Sequence, residues 1–88
     1  MTYRLEFKRS AARELARLDR TVQVIVKEKL ELLCANPSAL AANVKRLTRT
    51  GLYRLRVGNY RVVFHKDDAR IVILVVRIGH RREVYSTR

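Results

Sequence analysis

The chain has a single cysteine, Cys34, a single proline, Pro37, no tryptophan, and only 8 acidic residues against 20 Lys and Arg among its 88 positions. One cysteine excludes a disulfide framework and a thiolate metal site. Neither of the two histidines, His65 and His80, has a second ligand spaced to make it a metal position. The longest apolar run, Ile71 to Val76, is six residues, enough for a buried strand and too short to cross a bilayer. The opening Met-Thr-Tyr-Arg-Leu-Glu-Phe-Lys has no apolar signal core, so a cytoplasmic location is expected. There are no repeats, no low-complexity tract and no linker. The length suits one small domain over residues 1–88 with one core.

What the chain has is positive charge, and it is unevenly placed. The net charge is +12. Residues 1–44 carry eight basic and five acidic residues, net +3; residues 45–88 carry twelve and three, net +9. Such a domain is attracted to nucleic acid, to anionic lipid or to an acidic protein. A membrane surface is the weakest of these, because no Lys/Arg-rich amphipathic helix with an aromatic face is present.

Tyr3, Leu5 and Phe7 alternate with Arg4, Glu6 and Lys8, which predicts a first strand. Ser10 then reads as the N-cap of a short helix with the face Ala11, Ala12, Leu15 and Leu18. Asp19 reads as the cap of a second helix, with Val22, Ile25, Val26, Leu30 and Leu33 at helical spacing. Asn36-Pro37 ends it, and Cys34 is expected near the core. Residues 38–50 form a connection without clear periodicity. Strands are predicted over 52–57, 60–66 and 70–78. The order β-α-α-β-β-β implies an α+β fold, a mainly antiparallel twisted sheet covered on one face by a helical hairpin.

The most informative segment is Tyr53-Arg54-Leu55-Arg56-Val57-Gly58-Asn59-Tyr60-Arg61. Gly58-Asn59 supplies two residues that tolerate positive φ, as a tight hairpin needs. Val57 then pairs with Tyr60, and Arg56 lies opposite Arg61. Like charges facing each other across a ladder destabilise it by up to about 1 kcal/mol. Accepting that arrangement, with Arg54 on the same face, points to an anionic ligand, phosphate first. Leu55, Val57, Tyr60, Val62 and Phe64 look toward the helices; Arg54, Arg56, Arg61, Val63 and His65 look away. Tyr53 is also assigned to the core. Whether the last strand contributes depends on its turn. A two-residue loop at Asp67-Asp68 puts even-numbered residues on the arginine face. A three-residue loop, Asp67 to Ala69, puts Arg77, Gly79 and Arg81 there, and functional clustering favours this version.

The order of elements, the hairpin continuing into Val62-Val63-Phe64, the apolar last strand and the ending Ile78-Gly79-His80-Arg81-Arg82-Glu83-Val84-Tyr85 resemble the RelE/ParE superfamily of type II toxins. The resemblance covers about residues 3–85 and implies one RelE-like toxin domain over 1–88. An Arg followed four residues later by Tyr is similar to the RelE branch of ribosome-dependent messenger RNA endonucleases. The ParE branch, which poisons DNA gyrase and has no nuclease activity, is the alternative.

Carried onto this sequence, the family's active-site set falls on Arg54, Arg56, Arg61, Arg81 and Tyr85. The resemblance implies cleavage by the ribose 2′-hydroxyl, with no metal and no cofactor. Arg54 and Arg56 stand where the best-known members have lysine. Arginine holds phosphate with a bidentate fork but keeps its proton at neutral pH, so neither serves in proton transfer. Arg54 and Arg56 then bind substrate, and Arg56 and Arg61 stabilise the phosphorane. Arg81 contacts the phosphate or leaving oxygen, and Tyr85 is the base, its ordinary pKa of about 10 lowered by the arginines. No general acid is identified; His80 points to the opposite side. Implied partners are a cognate antitoxin, the ribosome and messenger RNA, and operator DNA only through the antitoxin complex. Arg4, Lys8, Arg9, Arg13, Arg17, Lys27, Lys29, Lys45 and Arg46 could track ribosomal RNA. Each by itself is an ordinary surface charge, as Arg54 and Arg56 alone would be a solvated strand face.

Overall fold

The computed structural model describes residues 2–47 and 51–80. Within them run β1 (Arg4–Phe7), α1 (Arg9–Ala16), α2 (Arg20–Ala35), a 3-10 helix (Pro37–Asn43), β2 (Val44–Leu47), β3 (Leu52–Val57), β4 (Tyr60–Asp67) and β5 (Val72–His80). The strands form one mixed sheet in the order β1-β5-β4-β3-β2. Only the β1–β5 pair is parallel; the other three ladders are antiparallel. The α+β architecture read from the sequence is therefore present, with two additions. The stretch 38–50, expected to be irregular, contains most of the 3-10 helix and the edge strand β2. Pro37 starts the former, its fixed φ suiting a first turn. Val44-Lys45-Arg46-Leu47 is too short to display a period and becomes a strand by pairing with Leu52–Leu55.

The helices cover one face of the sheet. Ala11 and Leu15 of α1 and Val26, Leu30, Leu33 and Cys34 of α2 are buried against Leu55, Val57, Val62, Phe64, Ile73, Val75 and Ile78. These are the alternate positions that strand periodicity selects. Burying an aliphatic or aromatic side chain of this size contributes roughly 1.5–3 kcal/mol each. Tyr53 stacks on Phe64 with ring centroids 5.6 Å apart and packs against the core. Tyr60 is only half-buried, at the end of the sheet, edge-on to His80 at 5.7 Å. Ile25, expected on the core face of α2, is 42% exposed, because Val26 and Leu30 set the buried stripe one residue further on.

One of the two helix starts differs from expectation. The N-cap of α1 is Lys8 and Ser10 lies within the first turn; Lys8 N–H is used by Val75 O at 2.9 Å, so the strand hands the chain directly to the helix. Asp19 does cap α2, though without a side-chain capping bond.

The turn between β4 and β5 is neither of the two lengths considered. Asp67 pairs with Val72, leaving a four-residue connection, Asp68–Ile71. Asp67 Oδ1 accepts the Arg70 N–H at 3.0 Å. Asp68 accepts the Tyr3 hydroxyl and lies 3.5 Å from Lys66 Nζ, which sits over the Tyr3 ring. The hydroxyl bond is the main reason that the Asp68 carboxyl is held below its ordinary pKa and the Tyr3 phenol above its own. Together these contacts staple the start of β1 to the turn.

Ile71 closes the turn at φ 57°, among the described residues the single non-glycine in the left-handed region. A β-branched residue there is strained by roughly 1–2 kcal/mol. Its carbonyl accepts the Arg4 N–H at 2.8 Å, a bond that any residue at this position keeps. Ile71→Asn should therefore raise unfolding stability by about 1 kcal/mol, seen as a higher urea midpoint at unchanged slope. A fall would mean that the side chain's packing outweighs the backbone strain.

Candidate nucleic-acid interface

The tight turn at Gly58-Asn59 sets the site. Gly58 takes φ 59° and Asn59 does not leave the ordinary negative range, the sign pattern of a type II′ hairpin rather than two positive angles. Val57 pairs with Tyr60 and Arg56 lies directly opposite Arg61, as the hairpin reading expects. Arg54 lies opposite Val63 and Lys45 opposite Arg54, so β2 extends the basic surface to the edge of the sheet. Arg54, Arg56 and Arg61 thus share the face away from the helices, joined by exposed His65.

The last strand joins them by an unexpected route. From the turn up to Val75, β5 is paired so that Phe64 meets Val75 and His65 meets Leu74. Continued unchanged, that register would set Ile78 opposite Arg61. Instead the ladder shifts by one residue between Phe64 and Val63, with Val76 the extra residue in β5. Beyond this bulge Val63 meets Arg77 and Arg61 meets Gly79. Arg77 and Gly79 therefore reach the arginine face, the outcome expected of a three-residue turn, through a four-residue turn and a compensating bulge. His80 falls opposite Tyr60, on the other face from the arginines. Arg81 and Tyr85 lie outside the described residues.

Arg61 is the centre of the arrangement. It is the one charged residue among those described that is buried, 8% exposed. One terminal nitrogen, Nη1, donates to Tyr60 O at 3.2 Å and to Gly58 O at 3.5 Å, so the turn backbone fixes the guanidinium. Its Nε is out of solvent and has no hydrogen-bond partner among the described residues. No carboxylate among the described residues pairs with it; the ion pairs found join Arg4 to Glu6, Lys66 to Asp68 and Arg77 to Glu14. Arginine cannot shed its proton to relieve burial. An unanswered charge of this kind costs several kcal/mol, and a buried donor without an acceptor adds about 1–3 kcal/mol. The edge of the guanidinium carrying Nε is the one that grips a carboxylate or phosphate through two parallel N–H bonds. Arg56 beside it is exposed and adds a positive charge at the rim.

No group of three or more His, Cys, Asp or Glu side chains among the described residues could hold a metal ion. The chemistry on offer is anion recognition. Sequence reasoning missed Glu14 of α1, which reaches β5 next to this face: its Oε1 accepts the Ile78 N–H at 2.8 Å and its Oε2 lies 3.4 Å from Arg77 Nε. Glu14 is the single acidic residue of α1 and adjoins buried Leu15, but a lone acid on a helix reads as a solvated charge.

The model of the family described as the ParE toxin of type II toxin–antitoxin systems matches residues 5–85. The mRNA interferase toxin RelE of Escherichia coli K12 is 32% identical over 88 residues, covering 98% of this chain and 93% of the relative. A double mutant of E. coli RelE in the free state superposes with a TM-score of 0.80 at 31% identity, over 98% of this chain and 93% of that one. The toxin–antitoxin complex RelBE of Mycobacterium tuberculosis gives a TM-score of 0.79 at 27% identity, over 92% and 100%. The chain belongs to the RelE/ParE superfamily of type II toxin–antitoxin toxins.

If Arg61 is kept as a charge for an anion, removing the charge should help the fold. Arg61→Met is expected to gain about 1 kcal/mol or more in urea unfolding without phosphate. The same variant should lose the rise in melting temperature that wild type shows in millimolar phosphate, a native-state ligand effect. Equal phosphate responses in the two proteins would contradict this.

Proposed function

We propose that this toxin is a ribosome-dependent messenger RNA endonuclease whose arginine face holds the scissile phosphate. The observation that carries the reading is the buried Arg61 guanidinium, fixed by turn carbonyls, with no partner for its Nε among the described residues. A cation so placed suits the pentavalent phosphorane, whose extra negative charge appears only as the reaction proceeds. In the proposed step the ribose 2′-oxygen bonds to phosphorus while its proton passes to the Tyr85 phenolate. The bond from phosphorus to the 5′-oxygen breaks, and that oxygen takes a proton from solvent. Arg61 and Arg56 stabilise the phosphorane, Arg54 holds the substrate backbone, and Arg81 attends the phosphate or the leaving oxygen. The relative named an mRNA interferase toxin supports the substrate class.

So small a domain relies on the ribosome to position the messenger, which places its action in the cytoplasm. No helix among the described residues is long and apolar enough to cross a membrane. The relative solved as a toxin–antitoxin complex supports an antitoxin partner here, an acidic or amphipathic segment that folds over the basic surface. Operator DNA would be reached only through that complex.

A second reading, a ParE-like gyrase inhibitor, draws on the name of the matching family model. Induced expression with mapping of messenger 5′ ends separates the two. Wild type should create new 5′ ends in translated messengers, and Arg61→Ala should lower their yield by about a hundred- to a thousandfold. Growth arrest with gyrase inhibition and no new 5′ ends would establish the second reading instead.

A further inference from the structure

We propose that Glu14 is a positioning residue for the anion site: its carboxylate fixes the register of β5 beyond the end of β1, and so sets Gly79 rather than Ile78 opposite Arg61. The inference rests on the reading of Arg61 as a phosphate ligand, but its structural half stands separately.

The need for such a residue comes from unequal strand lengths. β1 ends at Phe7, opposite Val75, while β5 runs on to His80. Past Val75 the last strand has β4 on one side and, among the described residues, no strand on the other. The bulge occurs at this point, with Val76 the extra residue. A strand held on one side can slip, and a slip of one residue exchanges its two faces. The alternative register would bring Ile78, now 2% exposed in the core, onto the arginine face opposite Arg61. A branched side chain would then stand beside the buried guanidinium, where Gly79 now presents backbone alone.

Glu14 holds the first two residues after the bulge. Its Oε1 accepts the Ile78 N–H at 2.8 Å, the backbone group that turns to the side left open by β1. Its Oε2 lies 3.4 Å from Arg77 Nε. Both side chains are largely sheltered, 25% exposed for Glu14 and 29% for Arg77. The carboxylate is itself well anchored, because Ala11 and Leu15 on either side of it in α1 are core residues. In the slipped register the Ile78 N–H would not meet this oxygen, so the bond selects one of the two pairings. The ion pair has a further effect. It draws the Arg77 guanidinium toward the strand edge and matches its charge, whereas buried Arg61 has no carboxylate partner among the described residues.

The test compares full-length wild type, Glu14→Ala, Glu14→Gln and Arg61→Ala by NMR, with inorganic phosphate as the probe. In Glu14→Ala the cross-strand contact between Arg61 and Gly79 should weaken, the Ile78 amide should exchange faster, and phosphate should bind roughly ten- to a hundredfold more weakly. Glu14→Gln keeps an oxygen for the Ile78 N–H and should stay near wild type in all three readouts. A folded Glu14→Ala protein with the Arg61–Gly79 contact and phosphate affinity intact would overturn the proposal. If Glu14→Ala does not fold, Glu14→Asp, which withdraws the carboxylate by one methylene, should show the same three changes, and their absence would overturn it equally. If Arg61→Ala binds phosphate as wild type does, the anion-site reading fails, while the Arg61–Gly79 contact still decides the role of Glu14.

Discussion

A full positive charge is held inside the sheet, and among the described residues two turn carbonyls alone answer it. Everything around Arg61 serves that constraint. The Gly58-Asn59 hairpin is tight enough to bring Gly58 O and Tyr60 O to one guanidinium nitrogen. The strand beyond is bulged so that the position opposite carries no side chain. Among the described residues no carboxylate pairs with Arg61; Glu14, which reaches β5 nearby, is engaged by Arg77 and the Ile78 N–H. A fold optimised for stability alone would place a methionine or leucine there. Keeping arginine makes sense when an anion arrives from outside, and for this superfamily the phosphodiester backbone of RNA is the natural candidate.

The helix face explains why the sheet can tolerate the strain. Leu55, Val62, Phe64, Ile73, Val75 and Ile78 are all within 2% of complete burial, beneath α1 and α2. Their burial fixes the positions of β3, β4 and β5 from one side, so that repulsion among Arg54, Arg56 and Arg61 on the other cannot spread the strands. Cross-strand repulsion of about 1 kcal/mol at most is small beside roughly 1.5–3 kcal/mol for each large core side chain. The two faces of one sheet thus divide the work between holding the fold and holding the charge.

Much of this was legible in the residues. Alternation over 53–57 and 60–65, the Gly58-Asn59 turn and the facing of Arg56 and Arg61 follow from period-two patterning and turn chemistry, and the structure has all of them. The length of the β4–β5 turn was not legible. Asp67-Asp68-Ala69-Arg70 contains no glycine to mark a left-handed position, and that position is filled against local preference by Ile71. Nor does a bulge announce itself in an unbroken run such as Val72 to Val76, where neighbouring residues are all apolar. Clustering of Arg77 and Gly79 with the other arginines was anticipated, but by a different geometry. β2 was invisible because four residues cannot show a period, and Glu14 because a lone acid on a helix reads as a solvated charge.

The central claim is that the Nε edge of Arg61 is where phosphate binds, and side-chain NMR reads that edge directly. With the Arg61 Nε–H resonance assigned, titration with a short single-stranded RNA should move it downfield and slow its exchange with water, as a charge-assisted bond forms. Arg56 should broaden or shift less, being exposed at the rim. An Arg61 Nε–H signal that stays in place while the RNA binds elsewhere on the basic surface would contradict the account.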